Sequence, residues 1–177
     1  TACDFTSNGL TEAAKNQIDT ITWKLGGAED YSGSSTGLAS NWYTYERGTT
    51  VYTGRSTEWQ GKVGLMYPSD YGYATSGGST NNRKSCLNKE LYNWNDTAYS
   101  DCKNNDWIYK YGKYQWALAL RSSNSYDVFI VHSAGNIDHS SSAYYKRMVL
   151  PSVYLKSSVE IVNGNGSKES PYELLGD

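Results

Sequence analysis

Two histidines, three cysteines and scattered carboxylates are the groups in this chain that could hold a metal, move a proton or attack a carbonyl. His132 and His139 lie on either side of Ser133–Asp138, with Asp138 next to the second, a pattern that suits a metal pair or an acid–base pair. A structural zinc is four-coordinate and the cysteines lie well upstream, so no metal is expected and the histidines are assigned to a loop or binding surface. Gly33-Ser34-Ser35-Thr36-Gly37 fits G-x-S-x-G. A nucleophile elbow needs a buried strand before it and a helix after it to hold the strained serine, and neither flanks it, so a chance match is expected in so Ser- and Gly-rich a chain. Trp94-Asn95-Asp96 offers two oxygen-bearing side chains able to share a calcium ion with sugar hydroxyls, but no second acidic loop accompanies them. No two carboxylates are set by spacing as the acid and base of a glycosidase. Neither a catalytic residue nor a cofactor is expected.

Cys86 and Cys102 enclose a short loop rich in Asn, Tyr and Asp and are expected to form a disulfide, with two reduced buried thiols as the alternative. Closing such a loop is worth about 3 kcal/mol on chain-entropy grounds. Cys3 is left over, and a tethered N-terminal cysteine, an intermolecular partner and a buried thiol all stay open.

The region with most binding character is 121–147. Arg121, Ser123, Asn124, Tyr126, His132, Asn136, Asp138, His139, Tyr144 and Tyr145 crowd there into connections between apolar segments. Tyr gives a large rigid contact at small entropy cost, and Ser, Asn and Gly give adaptable hydrogen bonds, the mixture of an antibody paratope. Stacked Tyr and Trp faces also suit sugar rings. The same composition is compatible with a solvated surface.

Positioning these residues falls to an aromatic-rich fold. The chain has 177 residues, enough for one domain, with 17 Tyr and 6 Trp supplying volume that its two Phe and few aliphatics do not. A net charge of −2 provides no footprint for a phosphate backbone, so nucleic acid is not an expected partner. The longest uncharged apolar run, Trp116–Leu120, is far short of a membrane span. Ala14, Ile18, Ile21 and Leu25 predict one main N-terminal helix, with Thr11 as N-cap, Glu12 in its first turn and Gly26-Gly27 as terminator. Trp42 to Tyr52 predicts extended structure, and Lys62–Tyr67 a strand ended by a turn at Pro68-Ser69-Asp70. Leu87, Leu91 and Trp94 permit a short second helix. Tyr114 to Arg121 alternates as a half-buried strand, Asp127–Val131 follows as its neighbour, 138–147 is a polar loop, and Val153 and Leu155 mark a last strand region closed by Asn163-Gly164-Asn165-Gly166.

Trp116-Ala-Leu-Ala-Leu-Arg121-Ser122-Ser123, then Asp127-Val-Phe-Ile-Val131, Ser133-Ala-Gly-Asn136 and Pro151-Ser-Val-Tyr-Leu155, resembles the C-terminal half of bacterial C-type lectin-like domains. This group is related to formylglycine-generating enzyme and to the variable proteins of diversity-generating retroelements. Trp59-Gln-Gly-Lys-Val-Gly-Leu-Met-Tyr-Pro-Ser-Asp-Tyr-Gly-Tyr-Ala74 and Ile21-Thr-Trp-Lys-Leu-Gly26 are similar to surface proteins of gut Firmicutes, in which such a domain often follows a type IV prepilin leader. The resemblance covers most of residues 11–175. It implies one α+β domain over 1–177, with 1–10 as a stalk or linker, 11–175 globular, and a main helix beside twisted antiparallel sheets with long loops. Exposed side chains from Arg121 to Arg147 match the region that varies in the retroelement-diversified proteins and there contacts a ligand. Two departures stand out. Met148-Val149-Leu150-Pro151 replaces the Gly-Val-Arg-Pro of many relatives, and the catalytic cysteine pair of the formylglycine-generating enzymes has no counterpart, because no Cys follows Cys102.

The resulting expectation is an extracellular, cell-surface, adhesin-like and pilin-like module that makes or breaks no bonds. Its expected partners are a protein or glycan ligand on a host or neighbouring cell, and copies of itself in a surface filament. The alternatives are a structural pilus or surface-layer subunit without a dedicated ligand and a glycan-active enzyme.

Overall fold

A computed structural model describes residues 7–29, 37–78, 82–166 and 169–175. Cys3 and the Gly33–Thr36 part of the G-x-S-x-G match lie outside the described residues. The chain is mixed α and β, built from short helices and small antiparallel sheets. The described residues of Thr1–Thr22, Gln60–Gly64 and Ser152–Asp177 form one compact unit, and those of Trp23–Trp59 and Leu65–Pro151 a second.

Helix α1 (Glu12–Gln17) starts where the sequence puts it: Thr11 Oγ1 accepts from Ala14 N at 3.2 Å and Glu12 pairs with Lys15 at 2.7 Å. It stops far earlier than Leu25. Ile21–Lys24 is instead strand β1, paired with β2 (Glu58–Gly61). The apolar spacing suited a helix, but β-branched Ile21 and Thr22 lose rotamer freedom there, and the strand buries Trp23 to 1 % exposure. Gly27 is not a helix stop. A Cβ on it would lie 1.8 Å from the Leu120 carbonyl oxygen, so glycine is required for close backbone approach.

The extended segment expected from Trp42 is corrected to helix α2 (Ala39–Glu46). One face of this helix buries Ala39 and Trp42, and Trp42 meets Phe129 edge-on with centroids 4.6 Å apart. That burial outweighs the strand preference of its aromatics. After β3 (Val63–Leu65), Pro68-Ser69-Asp70 opens helix α3 (Pro68–Tyr73) rather than a simple turn, with Pro68 in its first turn and the Asp70 carboxylate accepting from Tyr67 N at 2.9 Å. The expected second helix divides into α4 (Arg83–Leu87) and a 3₁₀ turn, Leu91–Asn95. Trp94 of the calcium-like triplet is fully buried, and Asp96 caps the next 3₁₀ turn through Ala98 N at 2.9 Å.

A disulfide joins Cys86 on α4 to Cys102 on α5 (Ser100–Asn104), with Cα atoms 5.5 Å apart and both residues buried. Replacing both cysteines by Ala should lower stability by about 3 kcal/mol, because the bond spans 16 positions of chain. An unchanged urea midpoint would show that packing alone holds the 87–101 loop.

Strands β4 (Gln115–Leu120), β5 (Asp127–Val131) and β6 (Ile137–Ser142) form an antiparallel sheet in that order. The polar loop expected at 138–147 therefore begins later. As the outer strand of the three, β6 needs backbone pairing on one side, which β5 supplies through Asp127↔Ser142 and Val128↔Ser141 whatever the side chains. On β4 the small-residue face is the deep one: Gln115, Ala117 and Ala119 are buried, while Trp116, Leu118 and Leu120 are half-buried. The core of this second unit gathers Trp42, Tyr71, Leu91, Trp94, Phe129 and Ile137 together with Ala119. In the first unit, β8 (Ile161–Asn163) pairs antiparallel with β9 (Glu173–Leu174). A short strand β7 (Pro151–Val153) pairs with β3.

Candidate ligand-binding site

The ten residues expected to form a recognition face separate into two groups. Ser123 and Tyr126 on the β4–β5 turn and Tyr144 and Tyr145 after β6 are exposed, Tyr144 at 79 %. The others are largely turned to internal tasks. Arg121 pairs with Asp127 at 3.3 Å and donates to the Glu29 carbonyl at 3.2 Å, and Asn124 Oδ1 accepts from Tyr126 N and Asp127 N while its amide donates to Asp127 at 2.6 Å. Together they tie the turn shut. His132 Nδ1 accepts from Ala134 N at 3.1 Å, and the buried Asn136 returns its carbonyl to His132 N at 2.8 Å. Asp138 accepts from His139 N at 2.7 Å. His139 lies edge-on to Phe129, and burial, helped by the Arg121 charge, holds its pKa below the usual 6.5. No group of three or more His, Cys, Asp or Glu able to hold a metal occurs among the described residues.

What the fold brings together instead is a basic and aromatic cleft of about 290 Å³, lined by Gly112, Lys113, Tyr114, Lys146, Arg147 and Met148. Its two walls are stitched by backbone: Met148 N donates to the Tyr114 carbonyl at 2.9 Å and Trp116 N to the Met148 carbonyl at 3.0 Å. The Arg147 guanidinium sits over the Tyr114 ring at 4.4 Å and the Tyr145 ring at 4.9 Å, and Tyr144 packs on Tyr145 at 4.6 Å. His132 closes the set, its ring edge-on to Tyr114 at 4.6 Å. So His132, Tyr144 and Tyr145 of the expected face belong to or border one cluster.

Behind the cleft the turn is rigidly built. Fully buried Gln115 accepts from Lys110 N at 2.8 Å and donates to the Ile108 carbonyl at 3.3 Å, while Asp106 accepts from Ile108 N at 2.8 Å. Burial raises the Asp106 pKa to about 7. Gly112 turns the chain at φ +71°, a left-handed position that favours glycine. Lys113 and Tyr114 lie outside the expected 121–147 region, and Lys146 and Arg147 lie within it without being among its ten named residues. Their signal in sequence is the interleaving of cations and aromatics in Lys110-Tyr111-Gly112-Lys113-Tyr114 and Tyr144-Tyr145-Lys146-Arg147.

Comparison with protein-family models, curated proteins and solved structures finds no match to this chain.

Proposed function

We propose that this chain is an extracellular ligand-binding module of the C-type lectin-like kind, displayed at a cell surface as an adhesin-like or pilin-like domain that makes or breaks no bonds. The observation that carries this reading is the exposed pair Tyr144 and Tyr145, packed on each other beside Arg147 on the turn that follows the last strand of the three-stranded sheet. Rigid aromatic surface on a fixed scaffold is what recognition requires, because little entropy is lost when a partner docks. The Cys86–Cys102 disulfide is compatible with an oxidising compartment, and no described helix is long and apolar enough to cross a membrane.

The test is a binding screen of the whole chain against glycans and host-surface proteins, beside a Tyr144→Ala/Tyr145→Ala variant. Saturable binding is expected, weakened at least about tenfold in the variant, with an unchanged melting midpoint because both side chains are exposed. A second reading, a structural subunit that packs on copies of itself, is favoured by the exposed apolar side chains of Ile161, Val162, Tyr172 and Leu175. Concentration-dependent assembly with no ligand in the screen would favour that reading and count against the first.

A further inference from the structure

We propose that the cleft between Gly112–Tyr114 and Lys146–Met148 binds an acidic saccharide, its anionic groups held by Lys113, Lys146 and Arg147 and its rings laid against the neighbouring tyrosines. This deepens the recognition reading and rests on it.

Three cationic side chains and no carboxylate line the cleft. Lys113 and Lys146 are exposed, and neither enters an ion pair among the described residues. Such a concentration of one sign in a chain whose net charge is −2 is local, so it selects an anionic group at one place rather than a long polyanion. Arg147 is restrained by two tyrosine rings, which reduces the entropy lost when it engages a carboxylate or sulfate, and its planar fork matches either in a bidentate way. The volume lies near the lower edge of the roughly 300–1,000 Å³ of small-molecule sites, so it suits a short saccharide segment.

Exposed aromatic surface near the cleft favours a saccharide over an acidic peptide. Tyr111, at 85 % exposure, directly precedes Gly112 in the chain, and Tyr144, also exposed, packs on Tyr145 two residues before Arg147. Exposed tyrosine rings suit the C–H faces of pyranose rings. Gln115 and the Met148–Tyr114 backbone bond hold the walls before any ligand arrives, so the site is pre-organised.

The experiment measures binding of the full chain to oligogalacturonate, dextran sulfate oligomers, uncharged dextran, polyglutamate and an oligothymidylate, in low and high salt. Expected is binding of an acidic saccharide but not of dextran, weakened by salt and by about tenfold or more in Lys113→Ala/Lys146→Ala, and restored in Lys113→Arg/Lys146→Arg. Binding of oligogalacturonate alone assigns a carboxylate ligand, and binding of dextran sulfate alone a sulfated one. Equal binding of polyglutamate or oligothymidylate would overturn the saccharide assignment, and an undiminished lysine variant would overturn the cleft. If some other ligand is lost in Tyr144→Ala/Tyr145→Ala but kept in the lysine variant, the recognition module stands and the acidic-saccharide site falls. No ligand in either screen overturns both.

Discussion

Trp42→Ala is expected to cost about 3–5 kcal/mol, a large share of the stability of a small domain. The indole is fully buried and meets Phe129 at 4.6 Å and Tyr45 at 6.5 Å. Truncation therefore removes a large apolar contact and leaves a cavity at the junction of α2 with the β4–β5–β6 sheet. Trp42→Phe should recover most of the loss. It keeps an aromatic face toward Phe129 and removes an indole N–H that finds no acceptor among the described residues. The measurement is a urea titration of the three proteins. Equal losses in Ala and Phe would show that the indole's size, not an aromatic contact, holds α2 in place.

The second large effect is a pH dependence centred on Glu46. This carboxyl closes α2 in a fully buried position, where Oε1 accepts from Ser69 N at 2.8 Å and Oε2 from the Ser69 hydroxyl and from Arg47 at 3.2 Å. Burial outweighs these donors and pushes its pKa from 4.5 up to about 8. Between those values the folded protein keeps a proton that the unfolded chain releases, so stability falls as pH rises through the window and levels off above it. The slope should amount to a few kcal/mol in total. Asp106 contributes in the same direction from 3.8 to about 7, and burial raises Asp70 as well, so Glu46 is isolated by difference. Glu46→Gln should lose stability less steeply than the wild type as pH rises from about 5 to about 8. Equal slopes would mean that Arg47 and Ser69 keep Glu46 ionised in the folded state.

Several features were legible because they are local. Thr11 and Glu12 mark the start of α1 by cap chemistry that needs only neighbouring residues. The alternation from Tyr114 and the apolar run from Asp127 gave β4 and β5, and the short spacing of Cys86 and Cys102 gave the disulfide. The face of β4 was not legible. Alternation distinguishes two faces without saying which is deep, and the packed aromatics around it leave room for Ala117 and Ala119 rather than Leu118 and Leu120.

The candidate site divides in the same way. Exposed Tyr126, Tyr144 and Tyr145 followed from composition, whereas Arg121 and Asn124 carry the same binding character in sequence and are engaged in the hydrogen bonds that tie the β4–β5 turn. Polar type alone does not distinguish a side chain that meets a ligand from one that satisfies its own backbone.

By itself the sequence determined an aromatic-rich chain of mixed α and β structure, its one disulfide among the described residues, and the first two strands of its three-stranded sheet. Only the tertiary structure decided that Ala39–Glu46 is helix, that Ile21–Lys24 is strand, and that Arg147 lies over both Tyr114 and Tyr145. The reason is one of magnitudes. Local preferences are worth less than about 1 kcal/mol per residue, while burying one large aromatic is worth about 1.5–3 kcal/mol, so long-range packing of Trp23 and Trp42 overrules them. The pairing of residues distant in the chain has no local signal to leave.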